Sequence, residues 1–413
     1  MPVHSSLLLP KAWRTTARIA STLFVLALFS ACATDEPGPT GLNPSARLSN
    51  GVPFNVGLAS PAWQTRSLAL AVPLGPVPSG HAIPQVAVAQ YLALQQAEAA
   101  AGDVGGRALL ETDRGAVAGA SVAVLSALFP AQTQSFEDLV TAQANAGPGQ
   151  PHPAFRAAEA IGRAVGAAII TRMNADHFNA PNTANPPPGA SWISSTNPPS
   201  PSAGGTLPGT TRWFPLDFAG QFRPGAPPAP GSGAFNTALA AIRDFSDHRT
   251  QAMIDLAALW APRAAGYWVG VATEQIAQRG FSEREATHLY ALLSATVADA
   301  MISCWDAKLT YWLIRPWDAD THITTTAAVG KPNHPSYPSG HSCVSASAAG
   351  ILSSFFPDMA AQLASNVHDA GLSRMVSGLH YDFDVAAGQG IGRNVAAFAI
   401  AADRSGNSVL TAH

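Results

Sequence analysis

Three short segments in the C-terminal third of the chain carry residues suited to binding an oxyanion and acting on it. The first runs from Trp305 through Lys308 to Arg315-Pro316. If residues 282–314 form one helix, Lys308 and Arg315 lie two turns apart and point the same way. Two cations on one helix edge are costly to bury unless an anion meets them. Taken alone, the segment is equally compatible with a solvated basic edge.

The second segment is the run from His334 to His341, which reads His-Pro-Ser-Tyr-Pro-Ser-Gly-His. Its prolines favour extended backbone, and Ser339 is placed to cap a helix that begins near His341. The free N–H groups of Gly340 and His341, at the positive end of that helix, would form a cradle for an anion. His341 could then exchange a proton with an oxygen of the anion.

The third segment contains Arg374, Gly378, His380 and Asp384. Arg374 and His380 are six residues apart and would not align on a regular helix, so Gly378 is interpreted as the break that turns both towards one point. Asp384, four residues after His380, can accept a hydrogen bond from one imidazole nitrogen and leave the other basic. We therefore interpret His380 as a functional histidine rather than a structural one.

The three segments together supply cations, a hydroxyl, backbone donors and two histidines that can approach one anion from opposite sides. Such a set suits a trigonal-bipyramidal oxyanion, either a phosphoryl group in transfer or vanadate at rest. The residues concerned are Lys308, Arg315 and Arg374 as cations, Ser339 and Gly340 as further donors, and His341 and His380.

The elements that must position these residues are predicted to be helices. Apolar residues recur at spacings of three and four, alanine and leucine dominate, and no alternating β-branched run is long enough to seed a sheet. The sequence therefore predicts an all-α fold. The predicted helices span 86–101, 113–128, 153–175, 234–260, 264–279, 282–314, 342–356, 358–376 and 384–402.

The chain divides by composition into a leader and four further parts. Residues 33–80 read as a flexible tether, 81–180 as an N-terminal helical half, 181–232 as a connection and 233–405 as the catalytic helical half. The connection holds 13 of the 34 prolines, yet its aromatic residues indicate that it wraps onto the body rather than acting as a loose linker. Those aromatic residues are Trp192, Trp213, Phe214, Phe218 and Phe222.

The N-terminus has the pattern of an export signal. Basic residues precede an apolar run over 19–29, and Ser30-Ala31 lead to Cys32. The run is short for a transmembrane helix. Residues 1–32 are therefore interpreted as a signal peptide with Cys32 as an acylated lipoprotein cysteine, the alternative being a plain signal peptide cut nearby. Because Ala33 rather than aspartate follows, we expect a periplasmic or cell-surface lipoprotein of the outer membrane.

Composition excludes several classes of partner. Charged residues make up only 12% of the chain and the net charge is −3, so nothing favours nucleic acid or an acidic membrane surface. Membrane contact is expected through the lipid anchor only. The remaining cysteines, Cys304 and Cys343, lie near Lys308 and His341 along the chain. We expect their sulfurs to be close and the thiols to remain free, although export would permit a disulfide.

The order Lys-x6-Arg-Pro, Pro-Ser-Gly-His and Ser-Arg-x5-His-x3-Asp resembles the signature of the vanadium-dependent haloperoxidases and type 2 phosphatidic acid phosphatases. The resemblance to bacterial haloperoxidase-like sequences extends from about Phe222 to about Ala402. It implies two packed helical bundles with the active site in the C-terminal one. It also implies vanadate as cofactor, with phosphate as a competing ligand.

The resemblance assigns a role to each site residue. His380 would ligate vanadium, or attack phosphorus in a phosphatase, and His341 would be the acid–base group. Asp384 would orient His380, and Lys308 would also polarise peroxide. The residues that would bind the equatorial oxygens are Lys308, Arg315, Ser339, Gly340 and Arg374.

Two details favour a haloperoxidase. Trp305 and His334 resemble haloperoxidase positions and would tune halide oxidation. The expected activity is oxidation of a halide, bromide by preference, with hydrogen peroxide to hypohalous acid, which then reacts with a small organic acceptor that needs no tight pocket. The alternative is an exported acid phosphatase that forms a phospho-histidine. A lipoprotein that merely holds phosphate or sulfate is a third possibility, but anion capture needs no second histidine.

Overall fold

The structure is a computed structural model that describes residues 57–147, 152–196 and 201–411. Within these ranges the chain forms helices and irregular connections and no strand, which confirms the all-α prediction. The predicted signal peptide and Cys32 lie outside the described residues. No helix in the described part is long and apolar enough to cross a membrane.

The helices follow one another along the chain with short connections, apart from the long segment between α5 and α6. Their bounds are α1 Ser60–Ala71, α2 Pro76–Ala101, α3 Gly106–Leu128, α4 Thr133–Ala144, α5 Pro153–Asn174, α6 Gly233–Asp247, α7 Gln251–Trp260, α8 Ala265–Arg279, α9 Glu283–Tyr311, α10 Pro316–Ala319, α11 Gly340–Phe355, α12 Ala360–Val376 and α13 Asp382–Arg404.

Helix α9 is the central element of the fold. It begins with a capping box, in which the Ser282 side chain accepts from the backbone of Glu285 and the Glu285 carboxylate accepts from the backbone of Ser282. Most of its residues are buried because α9 packs against α2 on one side and against α11 and α13 on the other. Its last residue is Tyr311, and the C-cap residue Trp312 that follows has a left-handed backbone with φ of 44°.

The two helical halves share this central helix. In the N-terminal half α2, α3 and α5 pack together, and in the C-terminal half α11, α12 and α13 do so. One hydrophobic core runs through both halves and includes residues of α9 along most of its length. A second, smaller core of aromatic and aliphatic residues, among them Phe235, Ile242 and Tyr381, lies on α6 and on the segment before α13.

The predicted tether over 33–80 is wrong for its last part, because residues 60–71 form α1. The backbone N–H groups of Ala59 and Ser60 donate to the buried carboxylate of Glu283 at 2.6 and 2.8 Å. The Trp63 indole, fully buried, donates to Gln143 Oε1 at 2.8 Å. Partners more than 70 residues away hold this helix, and they leave no local pattern in the sequence.

Other helix boundaries also differ from the prediction. Helix α2 begins at Pro76, ten residues early, with a proline in its first turn and Pro84 accommodated inside. Helix α4 was not predicted. The predicted helix over 234–260 is two helices, since the chain turns at 248–250 and the Thr250 side chain caps α7 by accepting from Met253 N.

The connection between α5 and α6 packs onto the body. Trp192, Trp213 and Phe214 are buried. The backbone N–H groups of Trp213 and Phe214 donate to the buried carboxylate of Asp299 on α9 at 2.9 and 2.8 Å. Phe218 is the exception among the aromatic residues, since 57% of it is exposed. The connection therefore wraps the central helix.

Candidate active site

The N-terminus of α11 brings the Pro-Ser-Gly-His motif to the site. Ser339 is the N-cap, as predicted, and its hydroxyl accepts from Ser342 N. Gly340 and His341 begin the helix, so their N–H groups have no acceptor within it. Helix α13 approaches closely here: a Cβ on Gly388 would lie 2.5 Å from the Ser339 carbonyl oxygen.

The third motif spans the turn between α12 and α13. Helix α12 ends at Val376, and Gly378 has φ of 75°, the left-handed conformation that glycine adopts without strain. A Cβ at Gly378 would also meet the Thr324 carbonyl oxygen at 2.6 Å. This break turns His380 inward beside Arg374, as the sequence indicated.

One cavity of about 530 Å³ receives most of the predicted site residues. Both histidines that were expected to flank the anion line it, together with two of the three cations and both halide-tuning candidates. Asp384 lies behind the cavity wall, and Lys308 and Ser339 do not line the cavity. The predicted residues that do so are Trp305, Arg315, His334, Gly340, His341, Arg374 and His380.

The His380 ring is held at both nitrogens. Nδ1 lies 2.9 Å from Oδ2 of Asp384, and Nε2 lies 3.0 Å from a terminal guanidinium nitrogen of Arg315. Burial, and then the charges of Arg315 and Lys308, hold the His380 pKa well below its usual value. The ring is therefore neutral, with Nδ1 donating to Asp384 and the Nε2 lone pair directed towards Arg315.

Asp384 is a buried acceptor with several donors. Its Oδ2 accepts from His380, from Ser336 Oγ at 2.5 Å and from Tyr381 N at 3.2 Å. Burial raises its pKa to about 6, opposed by the Ser336 hydrogen bond and the charge of Lys308. The sequence did not single out Ser336, although it lies in the second motif; only the fold shows that its hydroxyl reaches Asp384.

The His341 ring presents one nitrogen without a partner. Nε2 is buried and has no hydrogen-bond partner, and the backbone of Trp260 and Ala261 lies beside the ring. Burial, and then the charge of Arg374, lower the His341 pKa to about 3. The imidazole is therefore neutral, and a neutral imidazole that lines the cavity can accept a proton on one ring nitrogen.

Arg315 is positioned differently from the prediction. It follows the end of α9 and is the extended N-cap of α10, because α9 stops at Tyr311 and Pro316 begins the next short helix. Lys308 and Arg315 therefore do not share one helix edge. The Arg315 guanidinium still faces the cavity, where it donates to the carbonyl oxygens of His334 at 3.0 Å and Leu379 at 2.9 Å.

Lys308 is fully buried, and its ammonium does not line the cavity. It donates to the carbonyl oxygens of Pro335 and Ser336, each at 2.8 Å, and to that of Pro338. Its predicted role at an equatorial oxygen stays a prediction. Three carbonyl oxygens of the loop before α11 satisfy the three donors of the ammonium group.

Two further oxyanion candidates differ in exposure. The Ser339 hydroxyl is buried and bonds with Ser342 at the start of α11, so it caps the helix rather than facing the cavity. Arg374 does line the cavity, although it is nearly fully buried. Its Nε donates to Ser373 Oγ at 3.0 Å, and one terminal nitrogen lies 3.4 Å from the Ala257 carbonyl oxygen.

The two halide-tuning candidates lie against each other at the cavity. The Trp305 and His334 rings have centroids 5.2 Å apart. The Trp305 indole N–H donates to the Ala203 carbonyl oxygen at 2.8 Å, which fixes the ring. His334 Nδ1 lies 3.0 Å from a terminal nitrogen of Arg315, so His334 contacts the Arg315 guanidinium directly.

Cys304 and Cys343 are buried free thiols, as predicted. Each thiol lies close enough to influence the pKa of the other, and the helices that carry them, α9 and α11, pack against each other as expected.

The chemistry of the cavity suits an oxyanion. Two guanidinium groups, free N–H groups at a helix N-terminus and the His341 side chain all lie in its wall, and the part of the chain that the structure describes contributes no carboxylate to the lining. Nor do the described residues contain a group of three or more histidine, cysteine or acidic side chains that could hold a metal cation. The residues therefore fit vanadate or phosphate, and the Nε2 lone pair of His380 is a nitrogen that could coordinate such an anion.

Both the sequence of the motif region and the fold are similar to those of known proteins. Residues 287–405 match the PAP2 superfamily. The solved structure of a bacterial vanadium-dependent iodoperoxidase is similar with a TM-score of 0.69 and 21% identity, over 84% of this chain and 97% of that one. No curated protein matches the sequence.

A bacterial vanadium-dependent chloroperoxidase has the same fold. Its holo form is similar with a TM-score of 0.67 and 14% identity, over 86% of this chain and 97% of that one. Its apo form gives 0.63 and 14%, over 80% and 94%. Residues 287–405 thus match the PAP2 superfamily, and the aligned part of the chain has the fold of these solved vanadium-dependent haloperoxidases.

Proposed function

We propose that the protein is a vanadate-dependent peroxidase that oxidises a halide, bromide by preference, with hydrogen peroxide. One observation carries the proposal: the rings of His380 and His341 line the same cavity as Arg315 and Arg374. An anion held there meets a nitrogen lone pair at His380 and a proton acceptor at His341. Simple anion storage would not require both histidines.

Each residue has a distinct part in the proposed reaction. Asp384 fixes the His380 tautomer so that Nε2 offers its lone pair once the Arg315 guanidinium turns towards the anion. Arg315 and Arg374 offset the negative charge. The His341 imidazole takes a proton from incoming hydrogen peroxide and later returns it to the departing water. Vanadate, when bound, would supply Lewis-acid activation of the peroxide.

An exported acid phosphatase is the second candidate function. The observation that favours it is the same neutral His380, whose Nε2 lone pair could attack phosphorus while His341 protonates the leaving alcohol. The cavity therefore accommodates phosphate as a competitor of vanadate in either case.

One assay separates the two activities. The purified apo-protein is tested for peroxide-dependent bromination and for hydrolysis of an aryl phosphate, each with and without orthovanadate. A peroxidase should gain bromination when orthovanadate is added. Hydrolysis without vanadate, inhibited by vanadate and with no bromination in either condition, would instead establish the phosphatase. Neither activity under any condition would contradict both proposals.

The cellular location is also a proposal. We infer from the apolar run over 19–29 and the cysteine that follows it that the chain is exported and anchored through acylated Cys32. Cys32→Ala should release the protein from the membrane fraction or stall its processing. Unchanged membrane partitioning of that variant would contradict the anchor.

A further inference from the structure

The cavity is much larger than an oxyanion requires. Its volume is about 530 Å³, whereas a four-oxygen anion fills roughly 120 Å³ if each oxygen takes the space of a water molecule in the liquid. Hydrogen peroxide and a halide add little to this. More than half of the space therefore remains beside the anion, in the size range of pockets that enclose small organic molecules.

The surplus space lies towards the exposed end of the cavity. The oxyanion-binding guanidinium groups and His380 are buried, so they mark the inner end. Among the lining residues, Leu74, Pro76, Ala328 and Lys331 are exposed and mark the mouth. A molecule larger than a halide would therefore sit between the anion and solvent.

The walls of this outer part are apolar. They come from the turn before α2, the segment between α7 and α8, helix α9 and the loop that ends in the second motif, and their residues are Leu74, Pro76, Val77, Pro78, Ala261, Ala264, Met301, Ala328 and Val329. Leu74 is 53% exposed at the mouth, where its side chain is accessible to a ligand that enters the cavity.

One wall is stiff and another can adapt. Pro76 and Pro78 fix the backbone of the first turn of α2, so this wall is formed before a ligand binds. Met301, on α9, has an unbranched side chain that adjusts to irregular shapes, and its sulfur packs against Gly80. The Trp305 ring, fixed by its bond to Ala203, adds an aromatic surface beside the anion.

We propose that this outer part of the cavity is a binding site for the organic acceptor, and that the acceptor is a neutral, electron-rich arene such as a phenol. The inference rests on the proposed peroxidase function and revises the expectation that the acceptor needs no pocket. The apolar walls recognise the ring, and Lys331, the charged side chain at the mouth, disfavours organic cations.

The reaction balances with the reagents that the proposed function supplies. Hydrogen peroxide is reduced as its O–O bond breaks, and the halide is oxidised to hypohalous acid with release of one water. The arene ring attacks the halogen, a carbon–halogen bond forms, and the ring proton and the hydroxide of hypohalous acid leave as a second water. One proton is consumed in all. An acceptor bound beside the anion captures the halogen before it diffuses away.

The first test measures binding without turnover. Thymol is titrated calorimetrically into the apo-protein, and we expect saturable binding with a Kd of about 1 mM or tighter. Ala328→Trp should fill part of the mouth and weaken thymol binding about tenfold. Ala327→Trp is the matched control, since Ala327 is exposed beside Ala328 but does not line the cavity. No saturable binding, or equal affinity in the two variants, would overturn the proposal.

The second test uses the loaded enzyme. With bromide and peroxide, the wild type should brominate thymol with a ratio of ring isomers different from that given by hypobromous acid in solution. In competition with phenol red, a large sulfonated dye, Leu74→Asp should reduce the thymol share about tenfold. Leu259→Asp, an exposed leucine outside the cavity, should not.

The results distinguish a failure of the acceptor-site proposal from a failure of the peroxidase proposal. If both acceptors are brominated but the isomer ratio equals that of free hypobromous acid, the acceptor site is wrong and the peroxidase proposal stands. If nothing is brominated with orthovanadate present, the peroxidase proposal fails, while calorimetry still decides whether the cavity binds thymol.

Discussion

Nδ1 of His380 lies 2.9 Å from Oδ2 of Asp384, and both side chains are buried. This contact holds the imidazole in the tautomer that leaves its other nitrogen free to accept. Asp384→Asn should keep the geometry while offering an amide in place of the carboxylate, so we expect turnover to fall about 10- to 100-fold. Steady-state bromination by the vanadate-loaded variant measures this.

Ser336→Ala is the control for Asp384→Asn. It removes another hydrogen bond to the same carboxylate oxygen without changing the charge, and should affect turnover less. Equal losses in the two variants would mean that the carboxylate acts only as a structural acceptor.

Lys308 is predicted to stabilise the loop before α11. Lys308→Met leaves the carbonyl oxygens of Pro335, Ser336 and Pro338 buried without their donor. The free energy of unfolding of the apo-protein should fall by on the order of 3 kcal/mol, measured by urea denaturation. Lys331→Met, at an exposed lysine, should leave it unchanged. Unchanged stability of Lys308→Met together with weakened vanadate binding would support direct oxyanion contact instead.

His334 is predicted to tune halide oxidation. His334→Phe removes one partner of Arg315, but the guanidinium keeps its bonds to the His334 and Leu379 carbonyl oxygens. The bromide dependence of turnover should therefore change while the Kd for vanadate stays within about threefold. Loss of vanadate binding would place His334 among the residues that hold the anion.

Buried carboxyl groups should make stability depend on pH. Burial, and then the charge of Glu283, raise the Asp113 pKa to about 7 from a usual value of 3.8. The folded state thus binds this proton more tightly than the unfolded state, so its contribution to stability is lost as the pH rises through about 7. Asp113→Asn should flatten the fall in the free energy of unfolding between about pH 4 and pH 8. The exposed Asp103→Asn should leave the slope unchanged; an equal slope in both variants would contradict the assignment.

Structural features that depend on residues close together in the sequence were predicted correctly. Periodic apolar spacing located most helices, and Gly378 was correctly interpreted as a break because its left-handed φ is a local requirement. His380 and Asp384 were paired correctly since both belong to one short segment with a spacing of four. Ser339 was correctly predicted to cap α11.

Features that depend on distant partners were missed. Helix α1 depends on Glu283, more than 220 residues away, and its own sequence has no strong apolar period. The partners of Lys308 are backbone carbonyl oxygens, and every residue has one, so the residue types of the sequence do not indicate which of them Lys308 contacts. The end of α9 at Tyr311 separated Lys308 from Arg315, although both remain close to the site.

His380 is proposed to anchor the reacting anion. The most direct test is the turnover of His380→Ala at saturating orthovanadate, with vanadium NMR to follow anion binding. Arg315 and Arg374 should still hold the anion, more weakly, while bromination falls to the background of free vanadate. His341→Ala, as comparison, should keep vanadate bound and slow turnover about 100- to 10,000-fold. Bromination by His380→Ala within about tenfold of the wild type would contradict the central claim.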